Sequence, residues 1–238
     1  LASLGHRALR VHVATVNTFP SSLSKYEKSW SCLVDTVEDV KTLKADLDKI
    51  QADTELKERI ITYIWSACAQ IRGELVFKVR QKVPGSYGIP DSMAPQQVAE
   101  TVQWMIKMCA FMYGGLNIAA KTFDKMAPFS NPIFKDLFIS QWFSVKGEGI
   151  RFADAFKHIP NTTLALIATA VRFNFFIQSQ YQFYLNKLEH MQKDCPNWIK
   201  QFKKDLYESI WYTPSFYINI KLLMYTNSKE SGHELLSL

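Results

Sequence analysis

The sequence predicts an all-α fold: a single-domain bundle of about nine helices around one buried hydrophobic helix. Three observations carry this. Apolar residues recur at three- and four-residue spacing along most of the 238 residues. No sustained polar/apolar alternation and no Asn-Gly or Asp-Gly pair marks a β-hairpin. Leu164 to Ile177 is apolar nearly all round, a pattern that requires burial on most sides. With 47% hydrophobic residues and only 9 Gly and 9 Pro, the chain can fill a sizeable core, and neither a disordered nor a collagen-like protein fits.

Leu4, Ala8, Val11 and Thr15 mark a first helix, ended by the Asn17-Thr18-Phe19-Pro20 turn, where the proline disfavours a helical Phe19. Trp30, Leu33, Val34, Val37, Val40 and Leu43 form one apolar stripe, extended by Leu47 and Ile50. A third helix runs from Asp53 or Thr54 to about Val83, with Asp53 as N-cap and Glu55 and Glu58 where the dipole favours acids. Two prolines and two glycines between Pro84 and Pro90 predict a loop. The next helix starts at Ala94-Pro95 and carries its core face to Met112, with a break at Gly114-Gly115.

Asn131-Pro132 reads as a cap and first-turn proline opening a helix through Phe143. Lys146–Gly149 is a turn, and Asn161 caps the central hydrophobic helix, which becomes amphipathic towards Met191. Trp198 to Trp211 is the last full helix; a short one near Tyr225 and a loose tail over 226–238 follow, so the domain is placed at 1–225.

The chemistry is mostly legible by exclusion. There is no GxGxxG or GxxxxGK[ST] for phosphates, no GxSxG elbow, no HExxH and no DxDxDG loop. The expectation is therefore no cofactor, no metal and no catalytic residue. Cys32, Cys68, Cys109 and Cys195 have neither CxxC spacing nor nearby His, so they read as reduced, buried thiols. The longest apolar stretch, Leu164–Val171, is far short of the ~20 residues of a membrane span. No signal-peptide h-region is evident, and an intracellular protein, cytoplasmic or nuclear, is expected.

Positive charge is the clearest surface signal: 28 Lys+Arg against 22 Asp+Glu, net +6. Arg72, Lys78, Arg80 and Lys82 cluster on one helix; Lys200, Lys203 and Lys204 cluster on another beside Trp198 and Phe202. Cations near aromatics are the pattern that holds phosphates and stacks bases, so these seven are the nucleic-acid candidates. Trp211, Tyr212, Phe216 and Tyr217 are candidates for protein interaction or self-assembly. Arg172, interrupting the apolar helix, and His158 are candidates for a small-ligand or enzymatic pocket. The leading expectation is a non-enzymatic binding module.

Several strings in fixed order add a resemblance. They are Asn17-Thr18-Phe19-Pro20 followed by Trp30; Gln70-Ile71-Arg72-Gly73-Glu74; Tyr87-Gly88-Ile89; Pro128 to Ile133 through Gln141-Trp142-Phe143; and Phe156 to Ala170. Their order resembles a domain of unknown function of mushroom-forming basidiomycete fungi, over about Leu4 to Tyr212. That resemblance implies a helical, intracellular fungal protein and brings no functional residue with it.

Overall fold

The computed structural model describes residues 1–37, 40–145, 147–175, 189, 193 and 196–211. Among the described residues every regular element is helical, and one isolated bridge, Asn117 with Thr122, is the only β pairing. Helix α1 is Ala2–Thr15, α2 Lys25–Asp35, α3 Lys41–Ala52, α4 Thr54–Ser86 and α5 Pro95–Lys107. After them come α6 Pro132–Trp142, α7 Glu148–Arg151, α8 Ala153–Phe156, α9 Asn161–Phe175 and α10 Pro196–Trp211.

Two of the caps readable locally are present, while the third, Asn161, is instead the first residue of α9 and its Oδ1 accepts from Lys203 Nζ. The Asp53 carboxylate accepts from Leu56 N at 3.0 Å and opens α4; Asn131 Oδ1 accepts from Ile133 N at 3.2 Å, with Pro132 in the first turn of α6. Four boundaries depart from the sequence expectation. The Trp30–Ile50 stripe is two helices, because the chain leaves helical geometry after Asp35 and re-enters at Lys41. Helix α4 carries on through Pro84 to Ser86: the proline sits exposed in the final turn and forfeits the one i to i−4 hydrogen bond its missing N–H would have made.

Helix α5 stops at Lys107, short of Met112. Cys109 turns into the left-handed region at φ 53°, and a single 3-10 turn, Ala110–Met112, follows. The 113–131 stretch is irregular but tied down, with Gly114 N donating to Ala127 O at 2.9 Å and Asp124 N to Gly114 O at 2.9 Å. The expected turn at Lys146–Gly149 gives way at Glu148 to the two one-turn helices α7 and α8. The reading of the central helix beyond Phe175, the helix near Tyr225 and the 226–238 tail all lie outside the described residues.

One continuous apolar core runs through the bundle. Helix α9 contributes Leu164, Ile167, Ala168 and Val171, all fully buried as its composition demands. Helices α1 and α4 are the best-connected elements, and α4 packs against α1, α2, α3, α6 and α9. Its buried face is Ile61, Ile64, Cys68, Ile71, Leu75, Val79 and Val83, a run of i, i+3 and i+4 steps. Phe134, Phe138, Trp142 and Phe156 fill the space between α6, α8 and the rest of the core, Phe138 meeting Trp142 at 5.5 Å between ring centres. Cys32, Cys68 and Cys109 are buried free thiols.

Candidate functional site

Two places in this bundle carry concentrated polar chemistry. The first is inside it. Arg10 lies on α1 between the buried Leu9 and Val11 and is only 7% exposed. A guanidinium there must be paired, since an isolated buried charge is very costly. Its Nη1 and Nη2 donate to the two carboxylate oxygens of Glu74 on α4, at 3.1 and 2.6 Å, in the bidentate fork that suits Arg. Its Nε donates to Oε1 of Glu148 on α7, which is likewise 7% exposed.

Gln141 on α6 donates from Nε2 to Glu74 Oε2 at 3.4 Å, and Lys78 Nζ donates to Ser140 O at 2.8 Å. Four helices thus meet on one charge cluster. Gly147 makes the approach of α7 possible: a Cβ there would lie 2.3 Å from Trp142 O.

The electrostatics follow from the pairing. Burial alone would raise the Glu74 pKa, but the hydrogen bonds and charge of Arg10 outweigh it and hold the carboxyl below its ordinary value. Burial likewise weakens the Arg10 cation, and the two carboxylates more than restore it. Lys78 is pulled down by burial despite Glu74 and Glu148. His6, stacked on Tyr63 at 4.9 Å, is pushed down by burial and by Arg10 and stays neutral at pH 7. Two cations and two carboxylates cancel, and both carboxylates are committed to one guanidinium. A glutamate held ionised in this way is neither a general acid nor a strong base. The cluster fastens α1, α4, α6 and α7 together.

The second place is the outer face of α4. Arg59, Tyr63, Ser66, Gln70, Phe77 and Arg80 are exposed and fall on one stripe at three-, four- and seven-residue steps. From Arg59 to Arg80 the stripe is about 32 Å long at 1.5 Å per residue. Phe77 is 61% exposed and Tyr63 48%, which is high for aromatic side chains. Glu58 and Glu74 border the stripe without lying on its midline.

The residues singled out from sequence are scattered by the fold. Arg72 Nη1 donates to Thr18 O at 2.9 Å and its guanidinium lies 5.1 Å from the Phe19 ring, so this cation pins the 17–20 turn. Lys78 is engaged at Ser140. Arg80 is exposed and Lys82 half-buried. On α10, Lys200 is exposed; Lys204 is exposed and 3.7 Å from Glu208. Lys203 points inward, donates to Asn161 Oδ1 at 2.5 Å, and is pushed down by burial to about 8. Helices α4 and α10 are not among the closely packed pairs, so the two basic groups do not merge into one patch through direct contact.

His158 is exposed on the loop before α9, and Arg172 is half-buried in its last turn. The rise between Asn161 and Arg172 alone is about 16 Å, which sets this pair at opposite ends of α9. Trp211 ends α10; its side chain, and all of Tyr212, Phe216 and Tyr217, lie outside the described residues. Among the described residues no group of three His, Cys, Asp or Glu is placed to hold a metal ion, and no helix is long and apolar enough to cross a membrane. Sequence reasoning missed Arg10 and Glu148, which are 138 residues apart. The one available signal was a charged residue amid the apolar Leu9, Val11 and Val13.

Fold and site define an all-α domain built on a long central α4 with an ion-paired interior. The chain belongs to the family described as domain of unknown function DUF6532, whose profile matches residues 4–191. No curated protein and no solved structure matches it.

Proposed function

We propose that this domain is a non-enzymatic binding module that holds single-stranded nucleic acid along the outer face of α4. The observation that carries the reading is the exposed Phe77 one helical turn before the exposed Arg80, with Tyr63 and Arg59 repeating the pair further along. Exposed aromatic rings offer stacking to any base, and guanidinium groups answer the phosphates. Tyr63 and Phe77 are about 21 Å apart along the axis, the length of roughly six stacked nucleotides at 3.4 Å each. The basic balance of the chain, pI about 9.0, favours a polyanion. The paired interior supports a non-catalytic role, since its charges are consumed in holding helices together. An intracellular setting in a mushroom-forming fungus belongs to this reading, on the order of the sequence strings.

The test is fluorescence anisotropy of a labelled oligothymidylate titrated with the protein at several salt concentrations. With Arg59 and Arg80 in contact, log affinity falls with log salt at a slope of about −1.4, taking ~0.7 per neutralised phosphate. Phe77→Ala weakens binding about tenfold, as loss of one stacked base does. Salt-independent binding, or an Arg80→Glu variant as tight as the parent, overturns the proposal. If the oligonucleotide is not bound while the protein runs as a dimer that Phe77→Ala dissociates, the stripe is a self-assembly face instead.

A further inference from the structure

A half-open cleft of about 370 Å³ lies between the start of α5, the loop that precedes it and the 117–122 turn. It shares no lining residue with either place described above, and its volume falls within the range of small-molecule sites, about 300–1,000 Å³. Its walls are set by covalent geometry. Gly88, at φ +64°, turns the chain out of α4, and Pro90 stiffens the loop beyond it. The neighbouring Tyr87 is buried and its hydroxyl donates to Phe111 O at 3.0 Å, which anchors that wall.

The opposite wall is a closed turn. Asn117 N donates to Thr122 O at 2.8 Å, Thr122 N returns to Asn117 O at 3.1 Å, and Asn117 Oδ1 accepts from Ala120 N at 2.9 Å. Within it Lys121 is held at φ +52°, a left-handed conformation that disfavours a long side chain. Strain of this kind persists where surrounding structure fixes it, and it is enriched at ligand sites.

The lining is chemically two-ended. Glu100 and Gln97 lie one turn apart on α5, with Thr101 on the same face, while Lys121 reaches the cleft from the facing turn. Met93, Pro90 and Ile118 supply apolar surface. The nearly buried Thr101 hydroxyl donates weakly to the Met93 thioether at 3.9 Å, and Glu100 meets Gln96 Nε2 only at 3.4 Å. We infer that this cleft binds a small zwitterion with an aliphatic stem, an α-amino acid by class. Lys121 takes the carboxylate, Glu100 takes the ammonium, and Met93 and Ile118 cover the stem.

Isothermal titration with L-leucine, 4-methylpentanoate and isoamylamine tests this, since the three share a stem and the last two each lack one charged end. L-leucine is expected to bind at least about tenfold more tightly than either, the value of one charge-assisted contact. Glu100→Gln removes its advantage over 4-methylpentanoate, and Lys121→Asn removes its advantage over isoamylamine. Asn is chosen because it tolerates the left-handed backbone, and unchanged thermal melts of both variants exclude unfolding as the cause. No heat with L-leucine, equal affinity for all three compounds, or full L-leucine affinity in both variants overturns the inference.

Discussion

Arg10→Met is the sharpest probe of the interior. The substitution keeps the side chain's apolar length and removes the one group that pairs both carboxylates. Glu148, 7% exposed, then has no guanidinium; Glu74, whose side chain is 38% exposed, recovers part of its loss from water. Breaking a buried ion pair from one side costs about 3–5 kcal/mol, and the exposed Glu74 half adds little. We therefore expect a loss of about 3 kcal/mol, carried chiefly by Glu148. For a domain of this size that is a fall in Tm of roughly 6–12 °C.

Urea denaturation followed by far-UV circular dichroism measures it. The double variant Arg10→Met/Glu148→Gln is expected to lose less than the sum of the two single variants, because the second change neutralises the charge that the first leaves stranded. A loss under about 1 kcal/mol for Arg10→Met, or strict additivity with Glu148→Gln, refutes the reasoning that this cluster fastens the helices.

Three further outcomes follow from the same structure. The folded-state pKa of Glu74 lies below its ordinary value, so its contribution is present above about pH 4.3 and is lost as pH falls through the folded value. His6 and His12 are also pushed down by burial, so stability measured by urea titration is expected to begin falling already below about pH 6.5 and to steepen below pH 4. Lys203→Met is expected to raise Tm at pH 7, and its advantage over the parent is expected to shrink between about pH 8 and 10.4, as the parent's buried ammonium gives up its proton. Burial pushes the Cys32 thiol up to about 11, and Cys68 upward as well, so peptide mapping after iodoacetamide treatment at pH 8 should find both unmodified until the protein is denatured.

What could be read from the sequence was local. Asp53 and Asn131 announced α4 and α6 because a cap acts within three residues of itself, and the apolar run of α9 announced its burial because composition alone demands it. The gap between α2 and α3 was hidden, since apolar residues kept helical phase through Val37, Val40 and Leu43 while the backbone did not. Pro84 looked like a terminator, but a proline in the last turn of a long, well-packed helix is tolerated.

The site was harder for a physical reason. Charge clusters were visible, yet whether a cation faces water or a carbonyl depends on partners far along the chain: Arg72 meets Thr18, 54 residues away, and Lys78 meets Ser140, 62 away. The same distance concealed Arg10 and Glu148. Phe77 sits close in sequence to the partly buried Val76 and the core residue Val79, and only the position of α4 in the bundle shows that its ring is outside.

The proposed binding role of the outer face of α4 is tested most directly by ultraviolet cross-linking of an oligothymidylate to the intact protein, with the adducts mapped by mass spectrometry. Adducts are expected on the peptides carrying Tyr63 and Phe77. Adducts confined to the α10 peptide with Lys200 and Lys204, or none on α4, would contradict it.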